Sequence, residues 1–196
     1  MADRGNHYEA ALERWLRKQR VPYVAVDEAR RACWSGGSLK SLDFIISPER
    51  GRGYLVDVKG RRFPGGEGRY WKCWSFEDDV ESLGQWQRLF GPGFEALLVF
   101  AYWVTGPRSP VPPERLFVHA GRRYAFLAVP LSEYRRQMRR ISPRWQTVEL
   151  PAAVFRRLAC ELGQLLGGST GRPEPSQTVP LAVPVEVGLP AAEDVF

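Results

Sequence analysis

Two acids and a lysine lie close together on short β-branched runs. Tyr54-Leu-Val-Asp-Val-Lys-Gly60 carries Asp57 and Lys59 two residues apart, and Ser41-Leu-Asp-Phe-Ile-Ile46 carries Asp43. Strand side chains repeat every second residue, so Asp57 and Lys59 share a face with Leu55. The linking Ser47-Pro-Glu-Arg-Gly-Arg-Gly53 is turn chemistry. A hairpin pivoting on Arg50 sets Asp43 directly across from Asp57, with Cβ atoms roughly 4.5–5.5 Å apart. Like charges so placed repel. Two carboxylates kept there beside a lysine suit a divalent cation held between them.

The elements that must carry these residues are legible from periodicity. Asp3 or Asn6 can cap a helix over about residues 6–20, with Tyr8, Ala11, Leu12, Trp15 and Leu16 on one arc and Glu9 at its border. Val21 to Val26 reads as a first strand, and 27–41 as a polar loop. Beyond Lys59, residues 60–74 read as a glycine-rich loop with Arg61, Arg62, Arg69 and Lys72 among Phe63, Tyr70, Trp71 and Trp74. Ser75-Phe-Glu-Asp78 has the form of a capping box, opening a helix over about 76–90. On that helix Gln87 lies inside the apolar arc of Phe76, Val80, Leu83, Trp86 and Phe90. It either joins the site from the helix or caps a backbone group. Glu95 to Val104 is continuously apolar, as in a central strand covered on both faces. Strands over 115–119 and 123–129, a short basic helix over 133–140, an extended 145–150 and a helix over 151–166 follow.

At 196 residues the chain is one domain with a tail: a body over 1–166 and a Pro/Gly/Ser/Val-rich tail over 167–196, expected to be disordered. The formal charge is +6 and the pI near 9.5. From Gly167 on, one base (Arg172) meets Glu174, Glu186, Glu193 and Asp194, so the body is more basic than the whole. A basic body suggests a polyanion partner. No apolar run of membrane-spanning length and no leader pattern is present, which implies a soluble, non-exported protein. Cys33, Cys73 and Cys160 are too few and too scattered for a disulfide framework or zinc ribbon, and free thiols fit the cytoplasm. His7 and His119 do not make a His-based metal site or a triad.

The order helix with Glu9, strand, strand with Asp43, strand with Asp57 and Lys59, helix, buried strand resembles the PD-(D/E)xK nuclease superfamily, with its restriction endonuclease-like fold. The resemblance covers about residues 5–104, the fold's common core, and leaves about 114–166 as a C-terminal hairpin-and-helix extension. Gly5-Asn-His-Tyr-Glu9 is similar to the glutamate-bearing start of the archaeal Holliday junction resolvase branch. His7-Tyr-Glu-Ala-Ala-Leu-Glu13 resembles bacterial proteins named for a His-Tyr-Glu-x-Ala-Phe-Glu motif, with Leu12 in place of Phe; that name carries no activity.

The resemblance implies an α/β fold, a mixed central sheet flanked by helices, and a nuclease that hydrolyses phosphodiesters, DNA before RNA, with Mg²⁺ or Mn²⁺. Its active centre would be Glu9, Asp43, Asp57 and Lys59, with Gln87 a further candidate. Asp43, Asp57, the Val58 carbonyl and Glu9 would supply the hard oxygens such an ion takes, and the ion would acidify a water and polarise the phosphate. Lys59 would position that water as a point cation. Arg61, Arg62, Arg69, Lys72 and Trp71 are the candidate nucleic-acid contacts, by phosphate neutralisation and base stacking. Archaeal resolvases with this core act as homodimers, although no interface stripe is identifiable in the sequence. Plainer readings stand beside these: Glu9 as an exposed helix acid, Asp57–Lys59 as an ordinary ion pair, Trp71 and Trp74 packed on the core, and a binding or partner-dependent module without hydrolysis.

Overall fold

The computed structural model describes residues 6–26, 32–34, 37–49, 51–64 and 71–167. The first helix, α1 (His7–Lys18), starts where expected: the Asn6 side chain accepts the Tyr8 N–H at 3.1 Å. Glu9 stands in its first turn and Arg17 and Lys18 in its last, each suited to the helix dipole. Strands β1 (Tyr23–Ala25), β2 (Ala32–Trp34), β3 (Gly37–Leu39), β4 (Phe44–Ile46), β5 (Gly53–Phe63) and β6 (Trp74–Phe76) follow. Then come α2 (Glu77–Phe90), β7 (Phe94–Val104), β8 (Phe117–His119), β9 (Arg122–Pro130) and α3 (Leu131–Gln137). The chain closes with β10 (Arg139–Ser142), β11 (Thr147–Glu149), α4 (Ala152–Leu158), β12 (Cys160–Glu161) and α5 (Leu162–Leu165).

The main sheet runs β1-β4-β5-β7-β9-β12, with β8 also on β9. The β5–β7 pair is parallel and every other pair in it is antiparallel. A parallel pair needs a crossover, and α2 supplies it. Strand β7 is buried almost throughout, as its unbroken apolar run demands. Each face of the sheet carries its own core. On one, α1 packs Ala11, Leu12 and Leu16 against Phe44, Ile46, Val56, Val58, Leu97 and Val99. On the other, α2 and α3 pack Val80, Leu83, Leu131 and Tyr134 against Leu55, Leu98 and Phe100. The odd-numbered residues of β5 therefore face α2, and the even-numbered ones face α1.

Several boundaries differ from the sequence reading. Strand β5 does not stop at Lys59 but continues through Gly60, Arg61 and Arg62 to Phe63, because β7 pairs with it along its whole length. The segment read as a polar loop at 27–41 contains the β2–β3 hairpin. The Ser75 capping box is not formed. Ser75 is buried in β6, Phe76 is the N-cap, and no side chain caps α2. Pairing of β6 with β11 takes Ser75 out of the helix. The expected helix over 151–166 breaks into α4 and α5 because Cys160 and Glu161 pair with β9. The expected basic helix over 133–140 ends at Gln137, and Arg139 and Arg140 fall in β10. The tail over 168–196 lies outside the described residues, and no helix among the described residues is long and apolar enough to cross a membrane.

One glycine sets the approach of α1 to β5. A Cβ on Gly60 would collide with the ring of Tyr8. Gly60→Ala is expected to destabilise the protein by about 1–3 kcal/mol, the usual cost of overpacking. The same change in a Tyr8→Ala background should cost much less, as denaturant titration of the four proteins will read.

Candidate active site

The hairpin register is the one the sequence implied: Phe44 faces Val56, Ile45 faces Leu55 and Ile46 faces Tyr54. Asp43 is one residue beyond this ladder. Its N–H donates to the Val56 carbonyl at 2.9 Å, and its carboxylate Oδ2 accepts the Val58 N–H at 2.5 Å. A buried acid (5% exposed) is thus fixed against the backbone that links Asp57 to Lys59. Among the described residues, β5 from Asp57 onward is paired with a strand only on its β7 side. On its other edge the Val58 N–H is taken by the Asp43 carboxylate.

Asp57 and Lys59 share the α2-facing side of β5. The Lys59 ammonium lies 2.7 Å from Asp57 Oδ2 and 2.7 Å from Oδ2 of a second acid, Asp79, in the first turn of α2. The three side chains are 14%, 14% and 12% exposed, so this is not the solvent-screened surface pair of the plainer reading. Burial alone would lower the Lys59 ammonium, but Asp57 and then Asp79 outweigh it and hold Lys59 above its ordinary value. Burial pushes Asp79 up, but Lys59 and Lys40 pull it below the usual carboxylate range. Lys40 reaches Asp79 Oδ1 and Asp78 Oδ2, each at 2.9 Å. A small cavity of about 10 Å³ lies against Asp57, Asp79, Lys40 and Ser82, close to the volume that one water requires.

Glu9 is buried, 7% exposed, and accepts a hydrogen bond from the Asn6 amide. It is not the exposed helix acid of the plainer reading. It belongs to α1, on the sheet face opposite Asp57 and Lys59. Among the described residues no three His, Cys, Asp or Glu side chains converge as a metal-holding group. Gln87 spends its side-chain oxygen on the Ala96 N–H at 3.2 Å. Of the two roles open to it, this contact fills that of a backbone cap at the β7 edge.

Asp79 and Lys40 were missed in the sequence. Glu77-Asp78-Asp79 was the available signal, but acids in a first helical turn are ordinary dipole partners and single out no member.

The basic aromatic segment is largely internal. The Arg61 guanidinium covers the Trp74 ring at 3.9 Å and donates to the Gly60 and Trp74 carbonyls, and burial pulls its pKa down. Arg61 ties β5 to β6 and does not point outward to a phosphate. Trp71 is half-buried and packs among Phe63, Tyr102 and Phe155. Lys72 is half-buried, its carbonyl accepting the Tyr102 hydroxyl. Arg69 lies outside the described residues. Arg62 is exposed, its guanidinium 5.7 Å from the Trp103 ring, and Arg122 approaches the same ring at 5.0 Å. Among the described residues neither has a carboxylate partner. The arginines of the expected basic helix are mostly neutralised: Arg136 pairs with Glu133, Arg139 with Glu149 and Arg140 with Glu77.

The donor set fits a hard divalent cation. Asp43 and Asp57 are carboxylates held near the same strand edge, and Asp57 already binds a cationic group there. No family model and no curated protein matches the chain. Solved structures do. The chain is similar to Hjc, a Holliday junction resolvase from the archaeal hyperthermophile Archaeoglobus fulgidus, with a TM-score of 0.53 at 18% identity, over 86% of this chain and 100% of that one. At that identity the likeness is one of fold: a restriction endonuclease-like mixed sheet flanked by helices, as the order of elements implied.

The buried ion pair has a pH signature. Asp79 is held below its ordinary value of 3.8, so its contribution to stability is present above that value and lost as the pH falls through the folded-state pKa. Lys59→Met leaves Asp57 and Asp79 without their shared cation. It is expected to cost about 3 kcal/mol at neutral pH, at the low end for breaking a buried pair. The gap to the wild type should narrow as both are unfolded at pH values approaching 4; a gap that widens there would contradict the ion pair as the source.

Proposed function

We propose that this chain is a metal-dependent nuclease that hydrolyses phosphodiester bonds in nucleic acid, DNA before RNA. The observation that carries the reading is the buried Lys59–Asp57 pair on β5, with the Asp43 carboxylate bonded to the peptide N–H between them, in a restriction endonuclease-like fold. The Hjc likeness supports a nuclease of this fold. Asp43 and Asp57, with the Val58 carbonyl, would hold Mg²⁺ or Mn²⁺, which supplies an acidified water and a polarised phosphate. Lys59, kept protonated by its two acids, positions the attacking oxygen and offsets the charge that builds on the phosphate. Glu9, buried in the first turn of α1, would assist at the metal or at the attacking water. The half-buried thiol of Cys160 and the buried thiol of Cys73 are free and suit the reducing cytoplasm we propose as the place of action.

The fold also supports a track for the substrate. Arg62 lies three residues past Lys59, about 10 Å along the strand at 3.3 Å per residue. It faces α1, whereas Lys59 faces α2. A polynucleotide following the open edge of β5 can meet both, its scissile phosphate at Lys59 and a neighbouring one at Arg62 and Arg122.

The wild type is expected to cleave at least one of a panel of branched, duplex and single-stranded DNA and RNA with Mg²⁺ or Mn²⁺. Asp57→Asn and Lys59→Ala should each lower the rate by about 100-fold or more, as for lost transition-state groups. A wild type that cuts none of the panel with either ion sinks the reading. Replacing Arg62 and Arg122 together with Glu is expected to raise KM with little change in kcat. It should also flatten the dependence of log Kd on log salt by about two phosphates' worth, about 0.9 each on duplex DNA; an unchanged slope would place the track elsewhere.

A further inference from the structure

We infer that Asp79 is a positioning residue of this site, a second seat that keeps the Lys59 ammonium in place when a divalent cation takes the Asp57 carboxylate. The inference rests on the nuclease reading and adds to it a residue on a different element from the strand motif.

The geometry is that of a shared cation. Lys59 Nζ is equidistant, at 2.7 Å, from Asp57 Oδ2 and Asp79 Oδ2. The remaining Asp79 oxygen is bonded to Lys40 at 2.9 Å, which fixes the carboxylate with Oδ2 turned to Lys59. Lys40 is anchored in turn, its carbonyl accepting the Trp86 indole N–H at 2.8 Å from the same helix. Ser75 Oγ lies 3.5 Å from Asp79 Oδ2. Asp79 sits in the first turn of α2, where the helix dipole favours a negative charge. Its neighbour Asp78, with a side chain 58% exposed, reaches Lys40. One member of the acid pair is thus built into the site and the other is not.

Charge competition gives this arrangement a purpose. The lysine and a divalent cation both seek the Asp57 carboxylate. If Asp57 were the only partner of Lys59, each metal-binding event would leave a buried ammonium unpaired, and an uncompensated buried charge is strongly unfavourable. Asp79 removes that penalty: Asp57 can turn to the metal while Lys59 stays charged and stationary over the reacting phosphate. Asp79 therefore acts on the metal through Lys59 and not as a ligand.

A thermodynamic cycle tests this on the full chain, with Mg²⁺ alone as the titrant in calorimetry. Asp79→Asn is expected to weaken Mg²⁺ binding about tenfold, within the coupling found for contacting charged groups. Asp79→Glu should recover most of that loss. In a Lys59→Met background, Asp79→Asn should change the affinity by less than about twofold, since the ammonium it serves is gone. Lys40→Met, which frees the Asp79 carboxylate without touching Asp57 or Lys59, should weaken Mg²⁺ by about threefold and serves if Asp79→Asn does not fold. Equal losses with and without Lys59 would mean that Asp79 acts on the metal by its own charge, and would overturn the inference. Unchanged affinity in both Asp79→Asn and Lys40→Met would overturn it as well. In either case the Asp57→Asn cleavage defect would be intact, so the nuclease reading would stand. A wild type that neither binds Mg²⁺ nor cuts nucleic acid removes both.

Discussion

The structure depends on one buried ammonium. Lys59 lies under the α2 side of the central sheet and is neutralised there by Asp57 on its own strand and Asp79 across the groove. A lone ammonium would not remain charged at such a depth. Two carboxylates make it stable and charged at once. The arrangement also joins α2 to β5 by charge at a point where their apolar contacts, Val80 and Leu83 against Leu55, give way to polar side chains.

The sheet explains why that polar site can exist in so apolar a body. Strand β4 pairs with only the first part of β5, and the ladder stops at Phe44. Beyond it, β5 continues to Phe63 against β7 alone among the described residues. Among the described residues one edge of a central strand is therefore unpaired by a strand, and Asp43 bonds the Val58 N–H there. The two cores, under α1 and under α2, clamp the strand from both faces. Because a strand alternates its side chains, the same edge offers Asp57 and Lys59 to one side and Arg62 to the other.

The aromatic residues after Lys59 turned inward. Trp71 packs half-buried against Phe155 of α4, and Trp74 carries the Arg61 guanidinium. Burying large rings on a small sheet is worth more than exposing them, so rings and one arginine went to packing. Arg62 and Arg122, beside the half-buried Trp103, carry the outward charge instead.

Much of this was legible in the chain itself. The helix with its Asn6 cap, the hairpin register that brings Asp43 beside Asp57, the shared face of Asp57 and Lys59, and the buried strand at 94–104 all follow from local periods and turn residues. These are short-range properties, and the sequence by itself determined them. Gln87 as a backbone cap was one of two readings, and the sequence alone did not choose between them. Pairing across long separations lay beyond it: β6 with β11 unmade the Ser75 cap, β12 with β9 split the last helix, and β7 drew β5 past Lys59 to Phe63. Asp79 belongs to the same class. It is one acid among three in a first turn until the crossover of α2 lays that turn against β5. Only the tertiary structure decided which acid that was, because the energy of a buried charge is set by the partners that surround it in space and not by those that adjoin it in sequence.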